Sequence, residues 1–137
     1  MIKATEVITM RVPFPGINSE LAVKSHMYIC MKDGLNKEFI KCQTFKPTHL
    51  LDNCPPYYYI IESPDNTRNP FQNKTTIDCD KSFGVSNVTI SRDLLARRNI
   101  NSDLFNAIIS KIKHPNFHRV NIDPVQLSNS NPKISHP

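Results

Sequence analysis

"AVKSHMYICMKDGLNKEFIKCQTF", residues 22–45, is the stretch that decides the fold class. Its first half is mostly apolar after the interruption Lys24-Ser25-His26, which is the pattern of a central strand. Asp33-Gly34 is a hairpin signal. Residues 37–45 then read as the returning strand. Two strands paired through that turn place His26 and Thr44 near the open end of one hairpin.

Working outward, residues 5–12, "TEVITMRV", form a further strand, stopped by "PFPG" at 13–16. "KPTHLLDNCPP" at 46–56 is too rich in turn residues to be regular. "YYYIIES" at 57–63 is aromatic and β-branched, hence a strand. "KTTIDCD" at 74–80 is another, and residues 82–90 continue extended. Ser91 is placed to cap a short helix over 92–98. A second helix starts at Asn101 or Ser102. Its stripe of Leu104, Phe105, Ile108, Ile109 and Ile112 recurs at helical spacing, and His114-Pro115 ends it.

From Asn121 the chain is rich in Asn, Ser and Pro. It reads as a polar C-terminal tail, 121–137, with little core of its own. The expected architecture is therefore mainly β with C-terminal helices. It is one domain over 1–120, a small barrel of antiparallel strands covered by the helices.

The bulk numbers fit one domain. A chain of 137 residues buries roughly two-thirds of its unfolded surface without help from disulfides or metal. Cys30, Cys42, Cys54 and Cys79 form no CxxC pair, which argues against structural zinc. With no apolar N-terminal run and no segment of 18 apolar residues, the thiols read as reduced. The expected location is cytoplasmic, away from membranes. Three glycines leave no phosphate-cradling loop, so no cofactor is expected. His114 and His118 are four apart, but Pro115 breaks the helix that would align them on a metal. The net charge of +5 permits a polyanionic partner without requiring one. Residues 92–119 hold six Lys or Arg against two acids, part of a phosphate-facing surface or a solvated helical face.

Polar residues at strand ends carry what chemistry the sequence offers: Lys24, Ser25 and His26; Gln43 and Thr44; Asp78 and Asp80. A ribonuclease working without metal needs a base for the 2′-hydroxyl, an acid for the leaving 5′-oxygen, and donors for the charge on the phosphorane. Asp80 or His26 fits the base, and Lys24 or His26 the acid or the charge stabiliser. Gln43 or Thr44 fits a phosphate contact. The competing reading is ordinary surface polarity around strands. Asp78 and Asp80 flank Cys79, and period two puts both on the face opposite an inward Cys79.

Four stretches in order resemble the MazF/PemK (Kid-like) family of toxins from bacterial toxin–antitoxin pairs: "TEVITMRVPFPG" (5–16), "VKSHMYICM" (23–31), "FIKCQT" (39–44) and "TTIDCDKSFGV" (75–85). "LLARRNINSDLFNAIISKI" (94–112) is similar to the family's spacer and amphipathic helix. The resemblance covers residues 4–113. It implies an SH3-like barrel, a homodimer with an RNA groove, a cognate antitoxin that occupies the groove, and metal-independent cleavage of single-stranded mRNA.

Carried over by position, Asp80 falls on the family's acid. His26 falls on the arginine before the family's proline, with Met27 at that proline. Gln43 falls on its usual threonine, with Thr44 one step later. His26, Asp80, Lys24 and Thr44 are then the expected catalytic residues, with Arg11, Gln43 and Ser25 on the RNA. Lys24 and Arg11 are candidates to replace the missing guanidinium charge. The alternative reading is a non-catalytic SH3-like barrel that binds protein or nucleic acid.

Overall fold

The computed structural model describes residues 1–51 and 53–137. The elements run β1 (Val7–Met10), α1 (Glu20–Val23), β2 (His26–Lys32), β3 (Asn36–Thr44), β4 (Tyr59–Glu62), β5 (Thr75–Asp78), β6 (Lys81–Ser86), β7 (Thr89–Ile90), α2 (Ser102–Lys111), β8 (His118–Asn121), α3 (Pro124–Ser130) and β9 (Ile134–Ser135). The fold is mainly β.

The hairpin of β2 and β3 is its axis, with Met27 opposite Cys42 and Tyr28 opposite Lys41. Its turn needs a left-handed residue and has Gly34 there at φ 94°. β1 pairs the outer side of β2. β3 is long enough to fork. Its N-terminal half pairs β6, Phe39 facing Phe83. Its C-terminal half pairs β5, Gln43 facing Thr76. β4 adds beside β5, and β8 joins β6 in parallel.

Alternation along these strands makes two cores on opposite faces of one sheet. Ile8, Tyr28, Cys30, Phe39 and Phe83 belong to the first. Val7, Ile29, Ile40, Cys42 and Ile77 belong to the second. α2 closes the second core with Leu104 and Ile108, both fully buried. Asn101 caps that helix, its side-chain oxygen accepting from Leu104 N.

Three sequence expectations are corrected. The sheet of the described residues is not closed into a barrel. Closure requires the two edge strands to pair. The free side of β1 is instead taken by the segment after Ser91, through the Ile8–Leu95 bridge and a hydrogen bond from Ala96 N to Val7 O at 2.8 Å. That same demand shortens the expected helix over 92–98 to one 3-10 turn, Arg92–Leu94, after which Leu95 turns extended.

The segment 121–137 is not an appendage. It forms α3 and β9, and Ile122, Leu127 and Ile134 are buried in the first core. Asn131 fastens it: Arg11 N donates to Asn131 Oδ1 at 2.8 Å, and Asn131 Nδ2 donates to Arg11 O at 2.7 Å. One side chain thus completes the backbone pairing of residue 11. The irregular stretch at 46–56 holds a 3-10 turn, Pro47–Leu50, while residue 52 lies outside the described residues.

Candidate functional site

The face of the sheet that carries the first core changes character along β3. At Phe39 it is apolar. Two and four residues on, the same face presents Lys41 and Gln43, beside Thr76 and Asp78 of β5. Phe14, Pro15 and Leu21 overhang this half together with polar side chains around small cavities.

The first cavity, about 220 Å³, lies at the open end of the β2–β3 hairpin. Ser25, His26, Gln43 and Thr44 line it, together with Gln72 and Asn73. Four of the seven residues singled out from the sequence therefore converge, because strand ends paired at Met27–Cys42 necessarily meet. His26 Nδ1 lies 3.1 Å from the Lys24 carbonyl, which only accepts, so Nδ1 is the donor. In the neutral ring Nε2 then carries the free lone pair. It stands 3.8 Å from Glu20 Oε1. Glu20 sits in α1, a single turn capped by Ser19 that the sequence reading missed because four residues show no periodicity.

Gln43 is held from behind. Its amide contacts His49 Nε2 at 3.1 Å, and His49 Nδ1 meets Thr76 Oγ1 at 2.7 Å. His49 is buried, and burial, helped by Lys46 and Lys41, pulls its pKa below the ordinary imidazole value.

Gln43 is also a wall of a second cavity of about 250 Å³, lined by Lys41, Lys81, Glu20 and Ser19. Beneath it Asp78, 2% exposed, sits 3.6 Å from Lys41 Nζ and 3.3 Å from Lys81 Nζ. Asp78 also accepts Asp80 N at 2.8 Å. An acid in a phosphate groove would repel RNA. Here it is compensated by two ammonium groups, so this patch is not anionic. Burial lowers the pKa of Lys41, and the neighbouring Asp78 opposes that shift.

Three expected site residues lie elsewhere. Both oxygens of Asp80 accept backbone amides, from Tyr57 at 2.8 Å and Tyr58 at 2.7 Å. A carboxylate so occupied fastens a loop, and it lines a different cavity, of about 570 Å³, with Tyr57, Tyr58 and His118. Lys24 is exposed and does not line the first cavity; its carbonyl, not its ammonium, meets His26 Nδ1. Arg11 lines a neighbouring cavity of about 490 Å³ and shares it with Ser25.

Three of the four thiols, Cys30, Cys42 and Cys79, are buried. The thiols of Cys30 and Cys79 are pushed up to about 12 by burial, and Cys42 higher still. The four cysteines are unpaired. His114, considered for a metal, stacks on Tyr58 with ring centroids 3.6 Å apart and meets the Cys79 carbonyl at 2.9 Å. Among the described residues no helix is long and apolar enough to cross a membrane.

No family model, curated protein or solved structure matches the chain.

Proposed function

We propose that this chain is a metal-independent endoribonuclease acting on single-stranded mRNA, the toxin half of a MazF/PemK-like toxin–antitoxin pair. The observation that carries the reading is the convergence of Ser25, His26, Gln43 and Thr44 on one cavity.

In the reaction His26 Nε2 takes the proton of a ribose 2′-hydroxyl. The 2′-oxygen attacks the adjacent phosphorus, the bond to the 5′-oxygen breaks, and a 2′,3′-cyclic phosphate forms. Glu20 is near enough to steady the imidazolium. Gln43 and Thr44 donate to phosphate oxygens as charge builds. The 5′-oxygen leaves on the far side of phosphorus, beyond the reach of the same imidazole, and takes its proton from solvent. Asp80 is assigned no proton transfer, because both of its oxygens accept backbone amides and it lines a different cavity.

The cytoplasmic toxin role, the homodimer and an antitoxin that occupies the cavity belong to the same proposal. An SH3-like relationship to that family would show in a future structure of the dimer as an RNA groove across two copies.

One observation favours a second reading. A single proton-transfer group in an open cavity suits a module that binds RNA or protein without cutting. Purified protein incubated with long single-stranded RNA in EDTA separates the two. The nuclease reading expects 2′,3′-cyclic phosphate ends from the wild type, a loss of roughly 10²–10⁴-fold in His26→Ala, and activity retained in Asp80→Asn. RNA bound but intact leaves the binding module. Induced expression that does not slow growth removes the toxin role.

A further inference from the structure

The cavities are not scattered. Ser25 is shared by the Arg11 cavity and the His26 cavity, Gln43 by the His26 cavity and the Lys41 cavity, and Lys81 by the Lys41 cavity and the tyrosine cavity. The geometry points to one continuous track for single-stranded RNA over the polar half of this sheet face, ending in a nucleobase subsite built by Tyr57, Asn116 and His118. This rests on the nuclease reading for its RNA substrate and extends it well past the reacting phosphate.

The chemistry changes along the track in the order a strand requires. Arg11 stands at one end and Lys41 with Lys81 in the middle, cationic groups of the kind that meet backbone phosphates. Three of the four acids beside them are engaged. Asp93 pairs with Lys133 at 2.7 Å, Asp78 with both lysines, and Asp80 with two amides, while Glu20 faces His26. A phosphate brought against Lys41 favours its charged form, as Asp78 already does.

The far end is different. Tyr57 is 59% exposed, and its backbone N–H donates to the Asp80 carboxylate. Its ring is open to solvent, next to Tyr58, which is already stacked on His114. Presented aromatic rings beside cationic groups are the common device for holding unpaired bases, which every sequence can use. Asn116 supplies donor and acceptor for a base edge, and His118 a contact for the last phosphate.

The test uses 2′-O-methyl oligoribonucleotides, which cannot be cut, three and nine nucleotides long, with 2-aminopurine at either end. The nonamer is expected to bind the wild-type protein more tightly than the trimer, with fluorescence quenched at one end only. Tyr57→Ala should weaken the nonamer roughly five- to a hundred-fold, abolish that quenching and leave the trimer unchanged. Tyr57→Phe should restore it. His118→Ala should weaken the nonamer. Tyr57 is exposed, so these variants fold. Equal binding of the nonamer by Tyr57→Ala, or no gain with length, overturns the track even where the wild type cleaves RNA. Tyr57-dependent binding without cleavage keeps the track and removes only the nuclease.

Discussion

The two cores of the sheet are closed in contrasting ways. The second is sealed by one amphipathic helix, α2, which delivers Leu104 and Ile108 from adjacent turns. The first is sealed by scattered residues: Ile2 from the N-terminus, Ile90 from β7, and Ile122, Leu127 and Ile134 from the last sixteen residues. A helix brings its apolar atoms as one cooperative stripe. Scattered residues need polar fasteners to hold each segment in place. The first core accordingly carries them, in the Asn131 clamp on residue 11 and in the Glu6–Arg92 pair at 2.8 Å.

Removing residues 122–137 breaks this contrast most severely. A fully buried large aliphatic contributes about 1.5–3 kcal/mol, and the margin of a whole domain is about 5–15 kcal/mol. Losing Ile122, Leu127 and Ile134 together with the Asn131 clamp consumes most of it. The truncated chain is expected to show no cooperative thermal transition by circular dichroism. A sharp melt near that of the full chain would mean that the segment is an appendage after all.

Within the second core, Ile108→Ala is expected to cost about 2–5 kcal/mol in urea unfolding, because a packed helix–sheet interface relaxes little around the cavity. A loss below about 1 kcal/mol would show that α2 is only loosely docked.

These two experiments separate what the sequence displayed from what it concealed. The hairpin was legible from its apolar run and its Asp33-Gly34 turn, and α2 from an apolar stripe at a period of 3.6. The closing segment was concealed because Ile122, Leu127 and Ile134 are single apolar residues in an Asn- and Ser-rich run, and no local pattern marks them as core. The site divides in the same way. Ser25, His26, Gln43 and Thr44 could be brought together on paper, since hairpin pairing is local. The occupation of Asp80 by amides of Tyr57 and Tyr58 could not, because those partners lie more than twenty residues away and donate from the backbone. Alternation took an inward Cys79 as its premise, and Cys79 is buried. It was silent on Lys41 as the partner of Asp78, a pairing made only across the β3–β5 register.

The fastener of the first core gives a smaller effect than either core residue. Asn131→Ala removes three side-chain hydrogen bonds, to Arg11 N, Arg11 O and Leu127 O. It is expected to cost about 1–3 kcal/mol, the usual range for leaving part-buried partners unsatisfied. Amide hydrogen exchange should locate the damage: faster exchange at residue 11 and in α3, with α2 unchanged. Acceleration spread evenly over both cores would show that they unfold as one unit.

The smallest effect distinguishes the apolar cores from the polar continuation of the sheet. His49, behind Gln43, has its folded pKa lowered by burial and then by Lys46 and Lys41. A depressed histidine is neutral in the folded state where the unfolded chain, with an ordinary value of about 6.5, already binds a proton. The unfolded state therefore takes up more protons, and stability falls as the pH drops below that value toward the folded pKa. Above it the contribution is complete. Glu6 responds in a lower window: burial alone would raise its carboxyl, but the Arg92 hydrogen bond and charge hold it below the ordinary value, so its contribution fades only in stronger acid. Melting temperatures from pH 7.5 to 5 should decline, and His49→Gln, which retains a partner for Gln43 and Thr76, should flatten that decline without altering the loss at lower pH. An unchanged slope in His49→Gln would mean that the ring is solvated and protonates freely, and that the floor beneath Gln43 is not rigid enough to hold its amide against a phosphate.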